Sequence, residues 1–252
     1  MPRILITNDD GVQSEGIHAL AAALRALGQV TIVAPVEEAS AIGHALTLRR
    51  PLRIERLAEG TYAVDGTPTD CVNLALTHVL DARPDLVVSG INKGWNVGDD
   101  VTYSGTVSGA LEGALLGFQA IAVSTENHDN AFAFGPAADA ALALAAAVLE
   151  RPMPRFTLLN LNLPHRPHRG FRVTVQAQRN HVTTVTEHRD PRNRAYYWLG
   201  EGLNEWQPHD RSDYQAVRDG YASITPLQAD MTARAALTYV EGLPVVGAAE
   251  VG

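Results

Sequence analysis

ILITNDDGVQSEGIHAL, residues 4–20, reads as strand, turn and helix in immediate succession. The run RILIT, Arg3–Thr7, is apolar without alternation, the pattern of a strand covered on both faces. From Gly16 to Leu27 the apolar residues fall at Ile17, Leu20, Leu24 and Leu27, one stripe of a helix, and Gly28 follows its end. Between the two lies Asn8-Asp9-Asp10-Gly11, with two carboxylates side by side. Adjacent carboxylates repel, so their placement after a buried strand asks for a reason.

The same grammar continues along the chain. QVTIV (29–33) is a second strand, DLVVS (85–89) a third, AIAVS (120–124) a fourth and TLLNLN (157–162) a fifth. Extended candidates occur at 46–48, 52–55 and 61–64. Thr67-Pro68-Thr69-Asp70 has the residues of a helix start, with a threonine cap, proline at the first position and aspartate at the third. That helix is expected to reach about Leu80. Further helices are expected over 105–117 and 136–150. Strands alternating with helices predict an α/β fold with a mostly parallel, doubly wound sheet.

The pattern changes after about residue 165. FRVTVQAQ (171–178) and HVTTVTEH (181–188) alternate as antiparallel strands do, and AYYWLG (195–200) can pair with them. NEWQPHDRSDYQAVRDGYAS (204–223) is polar and reads as irregular. YASITPL (221–227) is a returning strand, and 232–239 a short helix. Residues 1–252 therefore read as a single α/β domain with a protruding excursion over 171–220, since no Gly/Ser linker separates the two.

Composition limits the function. The 252 residues are 46% hydrophobic, enough for one large core. The formal charge of −8 argues against a stable complex with nucleic acid, which needs a basic face. No apolar segment is long enough to span a bilayer, so no membrane association is expected. The first residues lack the features of a signal peptide. The single cysteine, Cys71, excludes an internal disulfide framework, and the expected location is cytoplasmic.

In an open parallel sheet, ligands bind outside the carboxyl ends of the strands. Three loops follow strands there: Asn8–Gly11, the loop carrying Ser40 and His44, and Ser89–Asn96. Together they offer two carboxylates, a hydroxyl and carboxamide oxygens, hard ligands suited to Mg²⁺, Mn²⁺ or Ca²⁺. A cation between Asp9 and Asp10 would remove their repulsion. Taken alone, Asn-Asp-Asp-Gly is equally the signature of an Asx turn. A fourth element, Ser104-Gly105-Thr106 at a helix start, offers free amides, hydroxyls and the positive helix end, a cradle for a phosphate. It also reads as an ordinary serine cap. Neither a Walker A loop nor a dinucleotide fingerprint occurs. Tyr103, beside the cradle, is either a stacking residue or a packing residue. His44 is either a substrate contact or a surface histidine. The basic residues of the excursion, Arg179, His181, His188, Arg189, Arg192 and Arg194, read as a solvated strand surface, and His165 and His168 as solvent-facing turn residues.

The strings ITNDDG, SAIGHALT, GTPTDCV, SGINKGWNVGDD, YSGTVSGALEG and DGYASITPL occur in this order from Ile6 to Leu227. Together they closely resemble the SurE family of stationary-phase survival proteins. The resemblance implies a divalent-metal-dependent phosphatase that hydrolyses nucleoside 5'-monophosphates, with 3'-nucleotides or short polyphosphate as further substrates. It implies a Rossmann-like three-layer core, a β-hairpin arm and a C-terminal segment, 228–252, used in forming a homodimer or homotetramer. Asp9, Asp10, Ser40 and Asn92 match the metal ligands, with one Mn²⁺ or Mg²⁺ expected per subunit. Asp9 and Asp10 are also the expected catalytic carboxylates. Asn96 and Ser104-Gly105-Thr106 match the phosphate-binding positions. Two neighbours of these residues depart from the family's habit: Glu37-Glu38-Ala39 replaces basic residues before the loop serine, and Trp95 replaces a proline. The alternatives to an enzyme of this kind are a nucleotide-binding sensor without chemistry and a serine hydrolase. The absence of GxSxG and of a triad partner for Ser104 weakens the second.

Overall fold

The computed structural model describes residues 1–243 and 245. Strand β1 (Arg3–Thr7) leads into helix α1 (Glu15–Leu24), and then come β2 (Gln29–Pro35), β3 (Ile54–Ala58) and β4 (Thr61–Val64). Helix α2 (Pro68–Leu74) starts as its residues predict. The Thr67 hydroxyl accepts from the Asp70 amide and the Asp70 carboxylate accepts from the Thr67 amide, which closes a capping box. It runs on through a π-helical turn, Ala75–Val79, so the helical stretch ends near the expected Leu80. β5 (Leu86–Lys93), α3 (Gly105–Leu115), β6 (Gln119–Thr125), α4 (Phe134–Glu150) and β7 (Leu158–Leu163) complete the alternating part.

Nine strands form the main sheet in the order β3-β4-β2-β1-β5-β6-β7, then β11 (Ala222–Leu227) and β8 (Phe171–Val173). From β4 to β7 all neighbours are parallel, whereas β3 and β11 join antiparallel to β4 and β7. β1 lies between β2 and β5, and its connections leave in opposite directions there. That is the topological switch at which a crevice opens outside the carboxyl ends.

Side-chain alternation on the central strands makes two cores. Ile4, Ile6 and Val88 pack with Ile17, Leu20 and Leu24 of α1 and Ala137 and Ala141 of α4. Leu5 and Val87 face the other way, against Val72 of α2 and Val107, Ala110 and Ala114 of α3. Each fully buried leucine or isoleucine stabilises the fold by about 2 kcal/mol, which is why β1 carries an unbroken apolar run. Layers of helix, sheet and helix result, as the α/β pattern predicts.

The second half differs in part from expectation. The excursion is narrower than 171–220. Only β9 (Arg179–Arg189) and β10 (Ala195–Trp206) leave the body, as a separate two-stranded antiparallel ribbon. β8 instead adds to the main sheet, parallel to β11. The stretch 204–223 is not irregular: it holds the end of β10 and helix α5 (Asp213–Arg218), which Ser212 caps by accepting from the Gln215 amide. The polar residues of α5 conceal its buried Ala216 and Val217. Residues 46–48 form no strand. Toward the end lie a 3₁₀ turn, Arg234–Ala236, and α6 (Leu237–Glu241), both without buried residues. Of the segment 228–252 expected to mediate assembly, 244 and 246–252 lie outside the described residues.

Candidate active site

A cavity of about 590 Å³ opens at the switch point and is lined by Asp9, Asp10, Ser40, Asn92, Asn96, Tyr103 and Ser104. All four residues expected to hold a cation therefore face one space. Backbone bonds tie their loops together. The Ala39 amide donates to the Asp9 carbonyl at 2.7 Å, and the Gly43 amide to the Tyr103 carbonyl at 3.0 Å. Asn8 is fully buried and donates from Nδ2 to the Gly11 carbonyl and to Ser14 Oγ, both at 2.9 Å, which sets the course of the aspartate loop into α1.

Asp9 is buried beneath the start of α3. Its Oδ1 accepts a short hydrogen bond from the Thr106 hydroxyl. Burial, with a smaller contribution from Asp10, overrides that bond and pushes the carboxyl up to about 6. Burial also raises Asp10, although Lys93 Nζ lies 3.6 Å from its Oδ1 and opposes the shift. Asp10 Oδ2 is buried with no hydrogen-bond partner among the described residues. A buried carboxylate oxygen without a partner is costly, and a cation would supply the missing one.

The other donors suit such an ion. Ser40 Oγ donates to Glu38 Oε1 at 2.6 Å, which leaves its lone pairs open. Asn92 Nδ2 donates to the Gly94 carbonyl at 2.9 Å, which leaves Oδ1 open to a cation. Among the described residues no three His, Cys, Asp or Glu side chains gather as a metal site. A cation here would draw on mixed carboxylate, hydroxyl and carboxamide oxygens, a set that fits a hard divalent ion rather than zinc. Gly90 in β5 lets this rim close up: with φ +136°, it would place a Cβ 2.3 Å from the Val123 carbonyl oxygen.

The expected phosphate cradle lies at the start of α3. Ser104 is the N-cap; its hydroxyl accepts from the Val107 amide at 3.0 Å and keeps its proton to donate. The next amides lie in the first turn, where a helix has no internal acceptors for them. Gly105 cannot be replaced without moving the aspartate, because a Cβ there would come within 2.7 Å of Asp9 Cβ. Asn96 is locked in place. Its backbone amide donates to Asn162 Oδ1 at 2.8 Å, its carbonyl accepts from Asn160 and Asn162, and its Nδ2 donates to Ser124 Oγ at 2.8 Å. A row of buried polar side chains at the ends of β6 and β7 thus fixes one side chain at the rim.

Two expectations meet a different placement. His44 does not line the cavity: its Nε2 lies 2.7 Å from Glu112 Oε2 on the flank of α3, and Glu112 also accepts from Asn73 at 2.7 Å. The histidine bond, more than any other contact, holds the Glu112 carboxyl below its ordinary value. Arg179 is not on a solvated surface. Its side chain is only 4% exposed, contacts Asp99 and Asp100, lies over the Trp206 ring and lines the cavity. Lys93, Glu38, Asn127, Asn130 and Phe132 also line the cavity and were not legible as site residues. Lys93 had one usable signal, its position directly after Asn92.

The family model for "Survival protein SurE" matches residues 4–183. A 5'-nucleotidase SurE of Pelobacter propionicus is 50% identical over 240 residues, covering 94% of this chain and 97% of the relative. That of Syntrophotalea carbinolica is 53% identical over 230 residues, covering 91% and 92%. The crystal structure of a SurE protein from Aquifex aeolicus superposes with a TM-score of 0.85 at 41% identity, covering 95% of this chain and 98% of that one.

Proposed function

The chain belongs to the SurE family, and on that premise we propose that it is a divalent-metal-dependent 5'-nucleotidase, converting nucleoside 5'-monophosphates to nucleoside and phosphate. The observation that carries this reading is the pair Asp9-Asp10, with Asp10 Oδ2 buried and without a hydrogen-bond partner among the described residues, beside an open helix start in one cavity.

Asp9, Asp10, Ser40 and Asn92 would hold one Mn²⁺ or Mg²⁺ per subunit. When bound, such an ion polarises a phosphoryl oxygen and acidifies a water. The chain's own groups do the rest. The Thr106 hydroxyl fixes the Asp9 carboxylate in position. The Ser104 hydroxyl proton and the first amides of α3 donate to equatorial phosphoryl oxygens, where charge gathers in the transition state. Asn96 holds the same group from the opposite loop, and Lys93 adds positive charge beside Asp10. Water attacks phosphorus in line; a new P–O bond forms as the ester P–O bond breaks and the nucleoside 5'-oxygen leaves with a proton. Tyr103, 60% exposed at the rim, offers a face for stacking a base.

Assembly into a homodimer or homotetramer fits the apolar side chains that the ribbon presents to solvent, among them Tyr197, Trp198 and Leu199. No helix among the described residues is long and apolar enough to cross a membrane. A cytoplasmic location fits the single buried thiol of Cys71.

Phosphate release from a panel of nucleoside monophosphates, before EDTA, after it, and after Mn²⁺ or Mg²⁺ is restored, tests the proposal. Loss and recovery of turnover are expected. Nucleotide binding without phosphate release under every condition would make the protein a sensor, and turnover indifferent to EDTA would remove the metal.

A further inference from the structure

A second cavity, of about 480 Å³, shares Trp95 with the first as a lining residue. It plays no part in the chemistry above. Its lining has an excess of cationic and imidazole groups, notable in a chain of net charge −8. Arg166, Arg169 and Arg218 line it, with His128 and His165. Two of the arginines lie over aromatic faces: Arg169 5.0 Å over Tyr221, and Arg218 5.7 Å over Tyr214, to whose hydroxyl it also donates at 3.3 Å. Arg166 makes no hydrogen bond or ion pair among the described residues. The two imidazoles stack with centroids 4.9 Å apart, and His165 Nδ1 is buried without a partner.

The two acids of the lining are already engaged. Glu126 accepts from the His165 amide at 2.8 Å, and Asp219 pairs with Arg172 at 3.1 Å and accepts from Gln215. Asp219 is thus already paired with an arginine outside the lining, and the three guanidinium groups still outnumber the carboxylates that face them. A metal is the wrong occupant, because stacked rings do not converge on one point and no third ligand joins them. Guanidinium groups recognise phosphate oxygens by paired donors, and imidazoles add further donors.

We propose that this cavity is a second anion site, taking a small phosphate-type oxyanion, held by Arg166, Arg169 and Arg218 with His128 and His165. The segment 126–132 joins it to the first cavity. Glu126 and His128 face the second cavity, while Asn127, Asn130 and Phe132 face the first. An anion bound there therefore bears on the wall of the catalytic cavity and on Trp95.

The test is titration of the metal-stripped, full-length protein with inorganic phosphate, followed by calorimetry and by the ring-proton signals of His128 and His165. One binding event is expected to survive Asp10→Asn and Ser104→Ala and to weaken by roughly tenfold or more in Arg166→Gln/Arg218→Gln. The same double variant should keep its circular dichroism and its nucleotide turnover in phosphate-free buffer. In the unmutated protein both imidazole signals should shift with phosphate. Binding that is lost with Ser104→Ala, or that is indifferent to the arginine changes, would overturn the proposal, as would imidazole signals that do not move. The phosphate-binding and ring-proton readouts do not depend on the nucleotidase reading.

Discussion

Two pairs of neighbouring aspartates stand at the same cavity: Asp9-Asp10 at the tip of β1, both lining it, and Asp99-Asp100 in the 3₁₀ turn, Gly98–Thr102, that precedes α3, of which Asp100 lines it. Their local sequences are alike, one in NDDG and the other in GDDV. Their surroundings are not. Arg179, at the foot of the ribbon, contacts both members of the second pair, and these remain partly exposed to water. Among the described residues the first pair has only Lys93 as a cationic partner, 3.6 Å from one of its four oxygens, and burial has raised both carboxyls. A built-in cation makes an acidic pair structural. Withholding one leaves the pair poised for a cation from solution. The difference therefore lies in what faces the carboxylates, not in the carboxylates.

The comparison breaks most visibly in activity. Asp10→Asn is expected to lower kcat/KM by roughly a thousandfold, the loss of about 4 kcal/mol of transition-state stabilisation. Asp99→Asn should cost less than about tenfold, since Arg179 keeps Asp100. Steady-state phosphate release measures both, and equal losses would erase the distinction drawn here.

A smaller effect should appear in stability. In the metal-free protein the Asp9 carboxyl stands near 6, against 3.8 for the free side chain. The folded state thus binds the proton more tightly than the unfolded one. Asp9 then contributes stability that is fully present below about pH 4 and lost as pH rises through about 6, up to about 3 kcal/mol in all. Urea unfolding across that window in EDTA should show the fall. Asp9→Asn should flatten it, and saturating Mn²⁺ should reverse it, because the ion favours the ionised form. A metal-free protein whose stability climbs over the same window would show that Asp9 is not the strained group.

The smallest expected effect concerns the second pair. Arg179→Met should destabilise the fold by about 1–2 kcal/mol, a figure reduced from that of a fully buried pair because both aspartates reach water. It should also raise KM more than it lowers kcat, since the arginine lines the cavity outside the cradle. Chemical denaturation and nucleotide kinetics give the two numbers. A kcat loss as large as that of Asp10→Asn would move Arg179 into the reacting centre.

Much of this molecule was readable in the chain because its signals are local. The apolar run of β1, the capped start of α2 and the strand–helix alternation each depend on neighbours a few residues apart, and the α/β sheet followed from them. The strings around Asp9, Ser40, Asn92 and Ser104 were likewise conspicuous, since loops after parallel strands carry small and polar residues for a reason. Three features escaped. Helix α5 hides its two buried residues inside a polar stretch. β8 resembles the ribbon strands that follow it, yet adds to the edge of the main sheet beside β11. Arg179 resembles its solvated neighbours until Asp99, Asp100 and Trp206 are brought around it from far along the chain.

The sequence by itself determined the order of strands and helices and marked the carboxylates, hydroxyls and amides that belong at the strand tips. Periodicity and capping are written in residues that touch along one element. Only the tertiary structure decided which charges meet: that Lys93 leaves Asp10 half compensated, that Arg179 settles Asp99 and Asp100, and that His44 turns to Glu112. Electrostatic partners and burial depend on distances between segments folded together from remote parts of the chain, and no short stretch of residues encodes them.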